Sequence, residues 1–237
     1  MNMPSTSISL GRKLISPLVW QRIFESTCYL SEYRRSDFFR ELDALERLRS
    51  QADYNTGSIS AAACWTLMSV THYFKPKKII EVGTFVGKST LSMLRGMDFS
   101  GVTDPKIYTC DFSNDIKLPF GKDNEIVQFP RVSSTGMFEK LHSEGVMCDL
   151  LALDGRLQPG DFTLLGSLLH QHSIILLDDF EGVEKGVING SSLMQPLQKT
   201  HTLVYPPSQE TLSRFGFFDD CTSALIIPRT AFQLTSQ

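Results

Sequence analysis

The apolar positions of this chain change rhythm at Pro76. Before it they recur at helical spacing. In "FFRELDALERLRS", Phe38, Leu42, Leu45 and Leu48 fall on one face, and residues 20 to 50 read as helical. "ADYNTG" breaks the pattern, and "SISAAACWTLMSVTHYF" resumes it behind a serine cap. Residues 1 to about 19 are polar and irregular and read as a loose arm. After Pro76, short apolar runs alternate with helical stretches. The runs are "KIIEV", "KIYTCDF", "EIVQF", "CDLLALD" and "SIILLDD", and the helices are "KSTLSMLRGM", "STGMFEKLHS" and "DFTLLGSLLHQH". Two further strands, "HTLVYPP" and "SALIIPR", have no long helix between them. This alternation predicts an α/β fold, a doubly wound, mostly parallel sheet with helices on both faces. Continuous apolar runs suit strands covered on both sides. The last two strands are joined too closely for a crossover and are expected to pair antiparallel at an edge. The chain divides into an N-terminal arm and helical extension (1–53) and the α/β domain (54–237).

Composition narrows the classes. A chain of 237 residues fits one large α/β domain or two small ones, and no repeat or domain-scale linker argues for two. A net charge of −3 argues against a nucleic-acid surface. The five cysteines are odd in number, scattered and without a C-x-x-C pair, which reads as reduced thiols in a cytoplasmic protein. The first twenty residues carry no secretory pattern, and no run approaches the ~18 apolar residues of a membrane span.

The candidate chemistry lies at the ends of the strands. "EVGTFVGKST" has glycines, a lysine and hydroxyls in nearly the order of a phosphate loop. Only three residues separate Gly83 from Gly87, however, where such a loop needs four, and Glu81 would repel phosphate. In open α/β sheets, ligands bind outside the carboxyl ends of the strands. Acids stand at four of those ends: Glu81, Asp111, Asp154, and the pair Asp178 and Asp179. Asp111 is placed either to accept both hydrogens of a ribose diol or to cap its own turn. The helix after Gly87 presents free amides suited to a carboxylate, and Ser89 either adds a donor there or simply caps the helix. One carboxylate, one ammonium, one ribose and no phosphate describe S-adenosylmethionine. Glu81 then helps hold the amino-acid end of that ligand and the backbone of the glycine turn. The missing G-x-G-x-x-G makes NAD a poorer fit.

These motifs resemble those of class I S-adenosylmethionine-dependent methyltransferases, and most closely the small-molecule O-methyltransferases of the catechol and caffeoyl-CoA type with their related bacterial family. The resemblance covers roughly residues 54 to 229 and rests on "EVGTFVGKST", "IYTCD", "DLLALDG" and "IILLDD". It implies a Rossmann-like seven-stranded sheet with an antiparallel last strand, and methyl transfer to a small-molecule acceptor. It further implies that Gly83 and Gly87 allow close approach of the cofactor, that Phe85 borders its methionine part, and that Ser89 bonds its carboxylate. Asp111 takes the ribose, Ser134 lies near adenine, and Tyr54 and Gly57 belong to a segment folding over the cofactor. Asp154, Asp178 and Asp179 stand where the catechol-type enzymes hold Mg²⁺, or they cap the following elements. The family's lysine three positions after the strand-four acid is Leu157 here, so its general base is missing. Arg156 either binds an acidic substrate group or neutralises Asp154 or Asp178 in place of a cation, and with Asp154 and Asp178 it completes the catalytic candidates. His142 and His201 read as surface residues. The family often forms homodimers, which the N-terminal helices would serve. The alternative is a nucleoside or S-adenosylmethionine-binding protein without catalysis.

Overall fold

The computed structural model describes residues 7–30, 32–54, 59–113, 115–122 and 124–232. Among the described residues three α-helices precede the sheet, α1 (Ser7–Glu25), α2 (Glu32–Leu45) and α3 (Ala61–Phe74), with a 3-10 turn (Glu46–Gln51) after α2. Ser60 caps α3, its hydroxyl accepting from the Ala63 N–H. The repeating part follows as β1 (Lys78–Val82), α4 (Lys88–Phe99), β2 (Lys106–Asp111), β3 (Ile126–Pro130), α5 (Ser134–Ser143), β4 (Cys148–Leu153), α6 (Asp161–Leu168) and β5 (Leu169–Leu177). A π-helical turn, Val183–Val187, leads into α7 (Ile188–Leu197), and β6 (His201–Val204), the short α8 (Gln209–Ser213), β7 (Ala224–Pro228) and a 3-10 turn (Arg229–Phe232) follow.

The seven strands form one sheet in the order β3-β2-β1-β4-β5-β7-β6. The first five are parallel, and β7 runs antiparallel to both β5 and β6. The alternation along each strand builds two cores. Ile79, Ile107, Leu150 and Ile174 face one way, against α1 to α4. Ile80, Tyr108, Leu151 and Ile175 face the other, against α5 to α7. Gly96 lets α4 press on α3, because a Cβ there would come within 1.9 Å of the Thr71 hydroxyl.

Three expectations are corrected. The supposed arm is helical from Ser7 onward, because Val19, Trp20, Ile23 and Phe24 of α1 enter the core and the Trp20 indole donates to the Tyr205 carbonyl at 2.6 Å. The expected helix through His172 stops at Leu168, and "LHQH" begins β5, where Leu169 pairs with Cys148 of β4. Tertiary pairing there outweighs local helix propensity. His201 is buried, not on the surface, and its Nε2 donates to the Ser173 carbonyl. Among the described residues no helix is long and apolar enough to cross a membrane.

Candidate active site

The carboxyl ends of β1, β2, β4 and β5 border a cleft. One cavity of about 680 Å³ is lined by Tyr54, Gly83, Phe85, Lys88, Ser89, Asp154, Arg156, Asp178, Asp179 and Lys185. A second, of about 600 Å³, shares Tyr54, Gly83, Asp154 and Arg156 with it and reaches Asp111 and Ser134. Each falls in the size range of small-molecule sites.

The turn after β1 shapes one wall. Gly83 has φ +105°, a region that costs a side chain dearly, and its N–H donates to the Cys110 carbonyl of β2. Phe85 takes φ +44° despite its side chain. It is held there by its N–H, which donates to Asp111 Oδ2 at 2.8 Å, and by its ring, which packs on Tyr54 at 5.3 Å and under the Arg49 guanidinium at 5.2 Å. Gly87 begins α4 with φ +82°. The space its missing side chain leaves is filled by Leu118, so Gly87 serves packing and the turn.

Glu81 does not face the cleft. It lies 1% exposed beneath the turn, on the same face as Thr109 and Ala152, its neighbours in the sheet register. Its carboxylate accepts from Ser89 Oγ at 2.5 Å and from Thr90 Oγ1 and Thr109 Oγ1 at 2.6 Å each. With Thr109 donating to Glu81, its oxygen accepts from Thr84. Burial pushes the Glu81 carboxyl up to about 7, against the opposing effect of these hydrogen bonds. The same bonds commit the Ser89 hydroxyl to the scaffold.

Asp111 is nearly buried at the end of β2. Its Oδ2 accepts from Phe85 N–H and, at 3.2 Å, from the Tyr54 hydroxyl, while Oδ1 accepts from Ser113 N–H at 2.9 Å. Burial first, then the charge and hydrogen bond of Asp111, raises the Tyr54 pKa. Ser134 donates to Asp161 Oδ2 at 2.6 Å, so its hydroxyl is turned to α6 although the residue borders the second cavity. Gly57 lies outside the described residues.

Asp154, Asp178 and Asp179 line one cavity together with Lys185, a residue that the sequence did not flag. Lys185 Nζ donates to Asp154 Oδ1 at 2.8 Å and to Asp179 Oδ2 at 2.9 Å. Asp178 Oδ1 accepts from Ser223 at 2.8 Å. Burial, then the Asp178 charge, lifts Asp154 to about 6, with Lys185 opposing. Burial also raises Asp178, with the Ser223 hydrogen bond opposing. Burial works against the Lys185 ammonium, but its bonds to the two acids outweigh this and its pKa is raised. The expected Mg²⁺ ligands therefore do not fit a divalent ion as arranged, since an ammonium stands between two of them. Among the described residues, no group of three or more histidine, cysteine or acidic side chains is arranged to hold a metal ion. In sequence, Lys185 sits in "GVEKGV", which reads as a solvated charge.

No family model matches the chain, and no curated protein matches it. Solved structures do. An O-methyltransferase from Bacillus cereus, in complex with S-adenosylhomocysteine, is 12% identical, with 90% of this chain and 100% of that one covered at a TM-score of 0.54. TomG, an O-methyltransferase of Streptomyces achromogenes involved in tomaymycin synthesis and solved with S-adenosylmethionine, is 12% identical over 95% of this chain and 99% of its own, with a TM-score of 0.52. A Klebsiella pneumoniae protein assigned as an O-methyltransferase is 14% identical over 91% of this chain and 98% of its own, with a TM-score of 0.57. At these identities the likeness is one of fold: the chain has the Rossmann-like methyltransferase fold.

Proposed function

We propose that this chain is an S-adenosylmethionine-dependent methyltransferase acting on an oxygen of a small molecule. The observation that carries the reading is one cleft bringing together Asp111, the N-terminus of α4 and Asp154 at the carboxyl edge of the sheet. The donor set suits the cofactor. The first-turn amides of a helix favour a carboxylate, and an ionised Asp111 offers about four acceptor positions. Phe85, Ser113 and Tyr54 use three of these. A ribose diol is then met by the remaining position on Oδ1 and by exchange with the Tyr54 hydroxyl. The neighbours with S-adenosylmethionine or S-adenosylhomocysteine bound support the same choice.

When bound, S-adenosylmethionine supplies a methyl group on a sulfonium, open to in-line displacement. The chain's own part is then mainly positioning and exclusion of water. Asp154 borders both cavities, and a carboxyl near 6 is matched to accepting a proton close to neutrality. Its Oδ1 is held by Lys185, leaving Oδ2 to take the proton of the acceptor hydroxyl. Arg156, which borders both cavities, meets an acidic group on the acceptor. A cytoplasmic location accords with five free thiols, four of them buried.

Calorimetric titration with S-adenosylhomocysteine tests the reading. Saturable binding is expected, and no heat at about 1 mM ligand (an affinity weaker than about −4 kcal/mol) overturns it. Binding without methyl transfer to any acceptor would favour a nucleoside-binding protein on the same fold.

A further inference from the structure

We infer that Lys185 is a built-in replacement for a divalent cation, its ammonium joining Asp154 to Asp179 and offering its remaining hydrogen to a single acceptor oxygen. Asp154, Asp178 and Asp179 line one cavity, and carboxylates partly withdrawn from water need a counter-charge. Mg²⁺ is one solution, held by oxygen ligands. In this cleft the counter-charge is covalently attached: Lys185 Nζ lies 2.8 Å from Asp154 Oδ1 and 2.9 Å from Asp179 Oδ2.

The backbone builds this placement. Lys185 lies in the π-helical turn Val183–Val187, closed by the Gly186 and Val187 N–H groups on the Gly182 carbonyl. Such turns concentrate at functional sites. Gly186 seats the turn directly on the backbone of Phe180, since a Cβ there would come within 2.2 Å of its Cα and carbonyl oxygen. The lysine stem thus starts from a fixed point beside the bend after β5 that carries Asp178 and Asp179.

The acceptor class follows, and this part rests on the methyltransferase reading. An ammonium has three donors, and the two acids take two of them. The third grips one oxygen, whereas a metal ion chelates two. The acceptor is therefore a single acidic hydroxyl, of the phenol or enol kind, with no need of a vicinal diol.

The test is Mn²⁺ titration of the full chain, read by electron paramagnetic resonance of the free ion, with S-adenosylhomocysteine binding measured separately in EDTA. The parent and Lys185→Arg are expected to bind no Mn²⁺ tighter than about 1 mM. Lys185→Met is expected to bind it at least about tenfold more tightly, and to lose the gain when Asp154→Asn is added. A parent that binds Mn²⁺ through Asp154 overturns the inference, as does a folded Lys185→Met with no gain. If Lys185→Met does not fold, the parent and Lys185→Arg still decide. Loss of S-adenosylhomocysteine binding, with the Mn²⁺ results as expected, removes the cofactor reading and leaves the ion-pair inference standing.

Discussion

Beneath the glycine turn, Glu81 holds three hydroxyls in a place that water does not reach. Its carboxyl is raised from 4.5 to about 7, so the fold favours its protonated form. The resulting stability is fully present below pH 4.5 and is lost as pH rises through about 7, roughly 3 kcal/mol in all. Asp154, raised to about 6, acts in the same direction. Denaturant melts of parent and Glu81→Gln from pH 5 to 8.5 isolate Glu81: the parent is expected to weaken relative to the variant across this window, and parallel curves would contradict it. Asp111 has two roles at once. Asp111→Asn is expected to weaken S-adenosylhomocysteine binding by about ten- to one-hundred-fold and to lower stability by about 1–3 kcal/mol, because it also disturbs acceptors for Phe85 and Ser113. Tyr54→Phe removes only the hydroxyl that occupies the same carboxylate. It is expected to bind the ligand at least as tightly as the parent, and a weaker complex would make Tyr54 a ligand contact in its own right.

Among the elements, the turn after β5 depends on one missing side chain. In Gly186→Ala the added methyl meets the backbone of Phe180, which has no flexible end to give way. The turn must lift and carry Lys185 from Asp154. The expected result is a stability loss of about 1–3 kcal/mol in denaturant melts, together with the gain of Mn²⁺ binding expected of Lys185→Met. Gly96 is the corresponding close approach between α3 and α4, but it lies away from the cleft. Gly96→Ala is therefore expected to destabilise without changing metal binding, which separates a packing fault from a displaced lysine.

At the scale of the molecule, α1 and α2 share one apolar core with α3, α4 and one face of the sheet. Trp20 is 0% exposed and tied to Tyr205 next to β6. Trp20→Ala is expected to cost about 3–5 kcal/mol and to lower a single calorimetric transition; a separate early transition would show that the N-terminal helices melt independently. The sequence by itself determined the repeating architecture, because apolar period and turn residues are local properties. "KIIEV" and "STGMFEKLHS" are β1 and α5 to the residue, and of the acids at the strand ends Asp111, Asp154, Asp178 and Asp179 border the cleft while Glu81 does not. It left open whether Asp111 caps a turn or receives a ligand, since both need an acceptor at that point. Only the tertiary structure decided that "LHQH" is strand, through pairing with β4, and that β7 lies between β5 and β6. It alone sent Glu81 under the turn and brought Lys185 to Asp154, 31 residues earlier in the chain. A lysine's charge reads as solvent-facing until the fold supplies its partners, and Asp154 comes from the end of a strand whose proximity no local pattern encodes.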